Sequence, residues 1–353
     1  MTHKLDNYQL IAILAGKDSP DLISLTHLRN LIRKFKENKI SVDVLSYVDL
    51  PFKEDLLPYI QEERRKQKEW IRTFSYVNEL LKQENILHVF IKILRHPFAI
   101  MSDIDVLPLN ISEELKALEI LYHVGFLFYR VRILEHPLRS LPLKICARRE
   151  TCNIFVDFYP KPVWTRKRVH DNEIIISRRR ISEIHGVKAY VPSPEDDLYL
   201  VATHSYNDLK IPLAAVLHGL EVISSKFDWE YLFNLAQSYG TLDAIYLYLR
   251  VLESYSVKYR DENIVPQDVF ESYERHRICK SIKKWFEKTY MKRLNFPIAI
   301  PVRIASILSS FYHCSTLLGS APFSDLVYDF LSHYYTPLAL RFNELRRRKS
   351  ENE

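Results

Sequence analysis

The sequence predicts a mixed α/β fold of the α+β kind: a central mixed β-sheet in the middle third, a helical segment before it and a helical domain after it. Three observations carry that reading. Long stretches with apolar residues at helical spacing occupy the first 85 residues. Short runs rich in Val, Ile, Phe and Tyr follow, with one helical segment among them. From residue 193 onward the pattern is helical again. The corresponding division is 1–85, 86–192 and 193–353, and 353 residues suffice for two or three such parts.

In the first part, LTHLRNLIRKFKENKI carries apolar residues at 25, 28, 31, 32 and 35, one helical stripe. YIQEERRKQKEWIRTFSYVNELLKQ has neither Pro nor Gly and reads as a long amphipathic helix. The character changes at 86. ILHVFIKI is a short β-branched run, followed by a Pro-containing loop and DIDVLPL. SEELKALEILYHVG is a helix that Ser112 can cap. FLFYRVRIL, PLKICAR and CNIFVDFYP suit strands, and a helix interposed among strands defines an α/β unit. Ser193-Pro194-Glu195 then marks a helix start: Ser caps, Pro takes the first turn and acids follow. FDWEYLFNLAQSYG, LDAIYLYLRVLESY and the segments beyond Pro301 continue the helical pattern.

Composition excludes several classes. Six glycines leave no GxxxxGK[ST] and no GxGxxG, which argues against P-loop and Rossmann devices; HExxH and GxSxG are absent too. No segment reaches the roughly 18–20 apolar residues of a membrane helix, and the start is a poor leader, so a cytoplasmic protein without a membrane partner is expected. Cys146, Cys152, Cys279 and Cys314 form no CxxC pair and read as reduced structural thiols. The net charge of +6 permits an anionic partner without demanding one. Basic runs at Arg148-Arg149, Arg166-Lys167-Arg168 and Arg178-Arg179-Arg180 fit a solvated face or a surface that steers polyanions.

The chemistry concentrates in the acids. On a strand, residues two apart share a face, so Asp103 and Asp105 project together while Ile104 and Val106 face the core. Two carboxylates ~4 Å apart at an effective dielectric of about 20 repel by on the order of 4 kcal/mol. A pair held near a core therefore shares a proton or binds a cation, whereas an Asp pair in an exposed turn does neither. Oxygen-only ligands select a hard ion, Mg²⁺ or alternatively Mn²⁺. Asp157 interrupts the apolar CNIFVDFYP run on the face opposite Ile154, Val156 and Phe158. With both strands in one sheet, Asp157 would join the pair as a phosphoryl-transfer metal site requires.

In order and spacing, ENILHVFIKI, SDIDVL, HVGFLFY, NIFVDFY, VPSPEDDLYLVATH and KFDWEYLFNLAQSYG resemble a broad nucleotidyltransferase family of the polymerase-β type, across residues about 30 to 255. The resemblance implies a cation on Asp103, Asp105 and Asp157, with Asp157 activating an acceptor hydroxyl. It implies attack on the α-phosphate of a nucleoside triphosphate with release of pyrophosphate; the acceptor is a small molecule, an RNA end or a protein side chain. Lys92, Arg95 and Ser102 are its candidate phosphate contacts. Where the family has Gly after the Lys this chain has Ile93, a β-branched residue expected to crowd the phosphates. Two other readings stand beside it: a non-catalytic nucleotide- or RNA-binding relative, and an Asp-x-Asp glycosyltransferase. His204, with Asp196, Asp197 and Asp208 near it in sequence, reads as a packed histidine before a metal ligand. The 22 Tyr and 18 Phe read as core before base-stacking platform.

Overall fold

The computed structural model describes residues 28–47, 53–94, 96–130, 145–149, 152–159, 163–164, 167–168, 170–208, 210–223, 226–289 and 298–299. All but Arg130 belong to one compact unit, bounded by residues 1–129 and 144–301. Arg95, Cys314 and the helical segments read after Pro301 lie outside the described residues.

The fold is mixed α/β. After α1 (Leu28–Glu37) and a 3₁₀ turn (Val42–Tyr47), α2 runs from Lys53 to Gln83. It begins six residues before the stretch recognised in the sequence and takes in Pro58, the sixth residue of the helix, which has no N–H to offer the Glu54 carbonyl. A five-stranded sheet follows, built from β1 (His88–Ile91), β2 (Asp103–Pro108), β3 (Phe126–Arg130), β4 (Ile145–Arg149) and β5 (Phe155–Phe158), with α3 (Ile111–His123) between β2 and β3. The strand order is β1-β2-β5-β4-β3. β2 is antiparallel to β1 and parallel to β5, and β5 is antiparallel to β4, so the sheet is mixed.

α3 starts two residues earlier than a Ser112 cap implies. Asn110 is the cap, accepting the Glu113 amide at 3.0 Å. Asn and Ser both cap well, and the helix takes the first one available.

β6 (Val163–Trp164) and β7 (Lys167–Arg168) pair with each other, α4 (Asn172–Ser177) is one short helix, and β8 (Arg180–Ile184) pairs with β9 (Val187–Val191). The two residues joining β8 to β9, His185 and Gly186, both have positive φ, as a twist-matched two-residue hairpin requires. Helices then dominate: α5 (Pro194–Asn207), α6 (Leu213–Val222), α7 (Trp229–Ser238), α8 (Leu242–Arg260), α9 (Gln267–Glu274) and α10 (Arg277–Thr289). Two short strands, β10 (Lys210–Ile211) and β11 (Ile298–Ala299), pair outside the predicted sheet region.

One face of the sheet is the core. Phe90, Ile104, Val106, Ala147, Val156 and Phe158 pack against Trp70, Phe74, Val77 and Leu81 of α2 and Ala117 and Leu121 of α3. α2 thus shares the sheet's core. Its turn at 69–70 also fixes the strands by hydrogen bonds: Trp70 Nε1 donates to the Asp103 carbonyl at 2.9 Å, and Glu69 accepts the Asn153 amide at 2.8 Å.

The Ser193-Pro194-Glu195 start is realised at α5, where Ser193 caps through the Asp196 amide at 3.3 Å. Its acids build a buried hub. Asp196 accepts from His170 Nε2 at 2.8 Å, Tyr231 Oη at 2.7 Å, Ser193 Oγ at 2.8 Å and Arg178 Nε at 3.3 Å. Arg178 also reaches Glu195 at 3.0 Å and stacks over the Tyr231 ring at 3.8 Å. Burial works to raise the pKa of the Asp196 carboxyl, and the hydrogen bonds from His170, Tyr231 and Ser193 outweigh it, leaving the group below the ordinary carboxylate value. A depressed folded pKa contributes stability above the unfolded pKa of about 4 that is lost as pH falls through the folded value. Asp196→Asn is expected to lower unfolding stability by about 2–3 kcal/mol at neutral pH and to flatten its acid limb. Urea titrations between pH 3 and 7 check this; an unchanged acid limb would remove Asp196 from that role.

Candidate metal centre

The opposite face of the sheet carries the acids. Asp105 lies beside Asp157 in the parallel β2–β5 register, and Asp103 beside Phe155. Period two then puts all three carboxylates on one face. Their ligand atoms lie within 4.8 Å of one another, and together they could hold a metal ion. Asp105 and Asp157 are buried at 5% and 2% exposure, while Asp103 is half-buried. Ser102 Oγ donates to Asp103 Oδ1 at 3.0 Å, which places Ser102 on the carboxylate proposed to bind metal.

Lys92 lines a cavity and faces the acids. Its ammonium forms an ion pair with Asp105 Oδ2 at 3.0 Å and donates to Tyr159 Oη at 3.0 Å, 4.4 Å from that ring's centre. It is 8% exposed, and its backbone is left-handed, φ 56°. That φ is uncommon for an L residue and turns Lys92 inward where β1 ends. The Tyr159 phenol is held protonated, by burial first and then by the charges of Asp105 and Asp157. Tyr159 was not singled out from the sequence, although it stands two residues after Asp157 and so on the acid face.

Ile93, expected to crowd the phosphates, does not: it packs at 3% exposure into the core with Trp70 and Phe74. The turn that points Lys92 at the acids points Ile93 away from them. The basic runs are also largely structural. Arg178 belongs to the Asp196 hub, Arg149 donates to the Val124 carbonyl at 2.8 Å and to Tyr76 at 3.2 Å, and Arg179 donates to the Ile176 carbonyl at 3.1 Å.

A cavity of about 290 Å³ opens beside Asp103, Asp105, Lys92 and Ser102. Its other wall comes from α5, β10 and the turn after α1, with His204, Asp208, Lys210 and Lys39. His204 Nε2 is 3.6 Å from Asp208 Oδ2 and is not part of the acid trio. Asp196 and Asp197 stand away from the cavity lining, one in the hub and the other 3.5 Å from the buried His218.

Three carboxylates and one internal ammonium leave a formal charge of −2, which one divalent cation neutralises. The donor set is oxygen throughout, which suits a hard ion. No helix among the described residues is long and apolar enough to cross a membrane, and Cys146, Cys152 and Cys279 are free thiols. No protein-family model matches the chain, and no curated protein matches it.

Proposed function

We propose that this protein is a metal-dependent nucleotidyltransferase, in which Asp103, Asp105 and Asp157 hold Mg²⁺ or Mn²⁺ against the α-phosphate of a nucleoside triphosphate. The single observation that carries the reading is the convergence of three carboxylates from two adjacent parallel strands, two of them, Asp103 and Asp105, lining a cavity. The acceptor hydroxyl attacks the α-phosphorus; the new P–O bond forms as the bond to the β-phosphate oxygen breaks and pyrophosphate leaves. A bound divalent cation would supply charge stabilisation to the phosphoryl oxygens.

The chain's own groups do the rest. Lys92 pairs with Asp105 and offsets one of the three acid charges. Ser102 orients Asp103. Trp70 and Glu69 hold the two strands from behind. Asp157 is the carboxylate assigned to take the acceptor proton. Asp157→Ala is expected to release pyrophosphate about 10²–10⁴-fold more slowly while binding triphosphate within a few-fold of the parent protein. A coupled pyrophosphate assay with Mg²⁺, alongside calorimetric binding, measures both. Loss of nucleotide binding with loss of rate would make Asp157 a cation anchor and not a base.

A second reading is a binding relative without turnover, favoured by the Lys92–Asp105 pair, which occupies a carboxylate oxygen otherwise open to a cation. It predicts Mg²⁺-dependent triphosphate binding with no pyrophosphate release from the parent protein with any acceptor.

A further inference from the structure

The cavity beside the acids has a second chemistry on its walls. Three lysines line it, Lys39, Lys92 and Lys210. Lys92 is committed to Asp105 and Tyr159. Lys39 and Lys210 are not: among the described residues neither ammonium has a hydrogen bond or ion pair. Arg149, Arg178 and Arg179 of the basic runs contrast with them, since each is tied to protein acceptors.

The placement of Lys39 is built into the fold. Its backbone is left-handed, φ 54°, a conformation an L residue keeps only where its surroundings hold it. The surroundings do so from two sides. The Lys39 carbonyl accepts the Ile100 amide at 2.8 Å, and Ile40 bridges to Ala99, on the loop leading to Ser102 and Asp103. Asn38, fully buried, accepts the Leu213 amide on its side chain at 3.0 Å and the Ala214 amide on its carbonyl at 3.1 Å, just past Lys210. One turn thus ties the acid wall to the wall carrying Lys210.

We infer that Lys39 and Lys210 form a polyphosphate subsite, which takes the β- and γ-phosphates of a nucleoside triphosphate whose α-phosphate meets Asp103 and Asp105; this orientation rests on the nucleotidyltransferase reading. The charge arrangement requires a division of that kind. Glu37, Asp103, Asp105 and Asp208 also line the cavity, so a bare polyanion is repelled except where uncommitted cations face it. The volume of about 290 Å³ suits a small ligand and not a length of nucleic acid.

The test uses the full chain and two probes in titration calorimetry, inorganic tripolyphosphate and Mn²⁺. Parent protein is compared with Lys39→Gln, Lys210→Gln, the double variant and Lys39→Arg, with thermal melts to verify folding. Each glutamine is expected to weaken tripolyphosphate binding about tenfold and the double variant about a hundredfold, with a shallower salt dependence. Lys39→Arg should bind within about threefold of the parent, and Mn²⁺ binding should be unchanged throughout. Loss of tripolyphosphate binding in the double variant of a protein that binds no Mn²⁺ would uphold the subsite and defeat the metal reading instead. A double variant that binds tripolyphosphate within twofold of the parent overturns the inference. So does a parent that binds Mn²⁺ but no tripolyphosphate, or one that binds single-stranded RNA in its place.

Discussion

Asp103→Asn is expected to reduce Mg²⁺-dependent pyrophosphate release by about 10³-fold while leaving the fold intact, because electrostatic groups at a phosphoryl-transfer site each carry effects of that order. The amide keeps the size of the side chain, and its oxygen can still accept from Ser102 Oγ. The bond from Trp70 goes to the backbone carbonyl and is untouched. Stability in the absence of divalent ions should therefore stay within about 0.5 kcal/mol of the parent, or rise, since one of three mutually repelling charges has gone. The paired measurements are pyrophosphate release with Mg²⁺ and urea unfolding in chelator. Unchanged release would take Asp103 out of the metal site; a large loss of stability in chelator would show that its charge is part of the fold.

Lys92→Met is expected to act in the opposite sense. Methionine nearly matches the lysine stem in bulk but removes the ammonium bonded to Asp105 and Tyr159. The buried acids would then face one another without a counter-charge, and breaking one partner out of such a pair costs about 3–5 kcal/mol. Millimolar Mg²⁺ should restore much of that loss, because a ligand that binds only the folded state stabilises it. The parent, already two-thirds uncompensated but not wholly so, should gain less from the same ion. Chemical unfolding of both proteins with Mg²⁺ and with chelator provides the four numbers. Equal stability of the two proteins in chelator would mean that Lys92 does not balance the acids.

The acid face was legible because strand alternation is local: Asp103, Asp105 and the Asp157 that breaks an apolar run all declare their side of the sheet. The Ser193 cap and the α1 stripe were legible for the same reason. What joined Asp157 to the pair was not local. The β2–β5 register depends on strand order, and parallel neighbours leave no turn in the sequence to fix it. The burial of Ile93 was not legible because the sequence pattern continues as strand to Ile93, whereas the chain turns left-handed at Lys92 and exchanges which side chain faces the acids. Nothing about lysine announces a positive φ. Arg178 looked like one member of a surface run because its partners, Glu195 and Asp196, are distant in sequence and reach it only through the tertiary fold. Lys39 and Lys210 are ordinary lysines until a cavity forms around them.

The bonds from Glu69 and Trp70 have a mechanical consequence. Consecutive residues of one helical turn grip the approach to β5 and the start of β2, so the two acid-bearing strands ride on α2 as a single raft. A displacement of that helix would carry both strands with it. Across the cavity, the Asn38–Ile40 turn sets the spacing of the two walls through its bonds to Ile100 on one side and to Leu213 and Ala214 on the other. In the proposed reading, a cation on the acids and a ligand in the cavity would be held by one continuous frame of hydrogen bonds to the backbone.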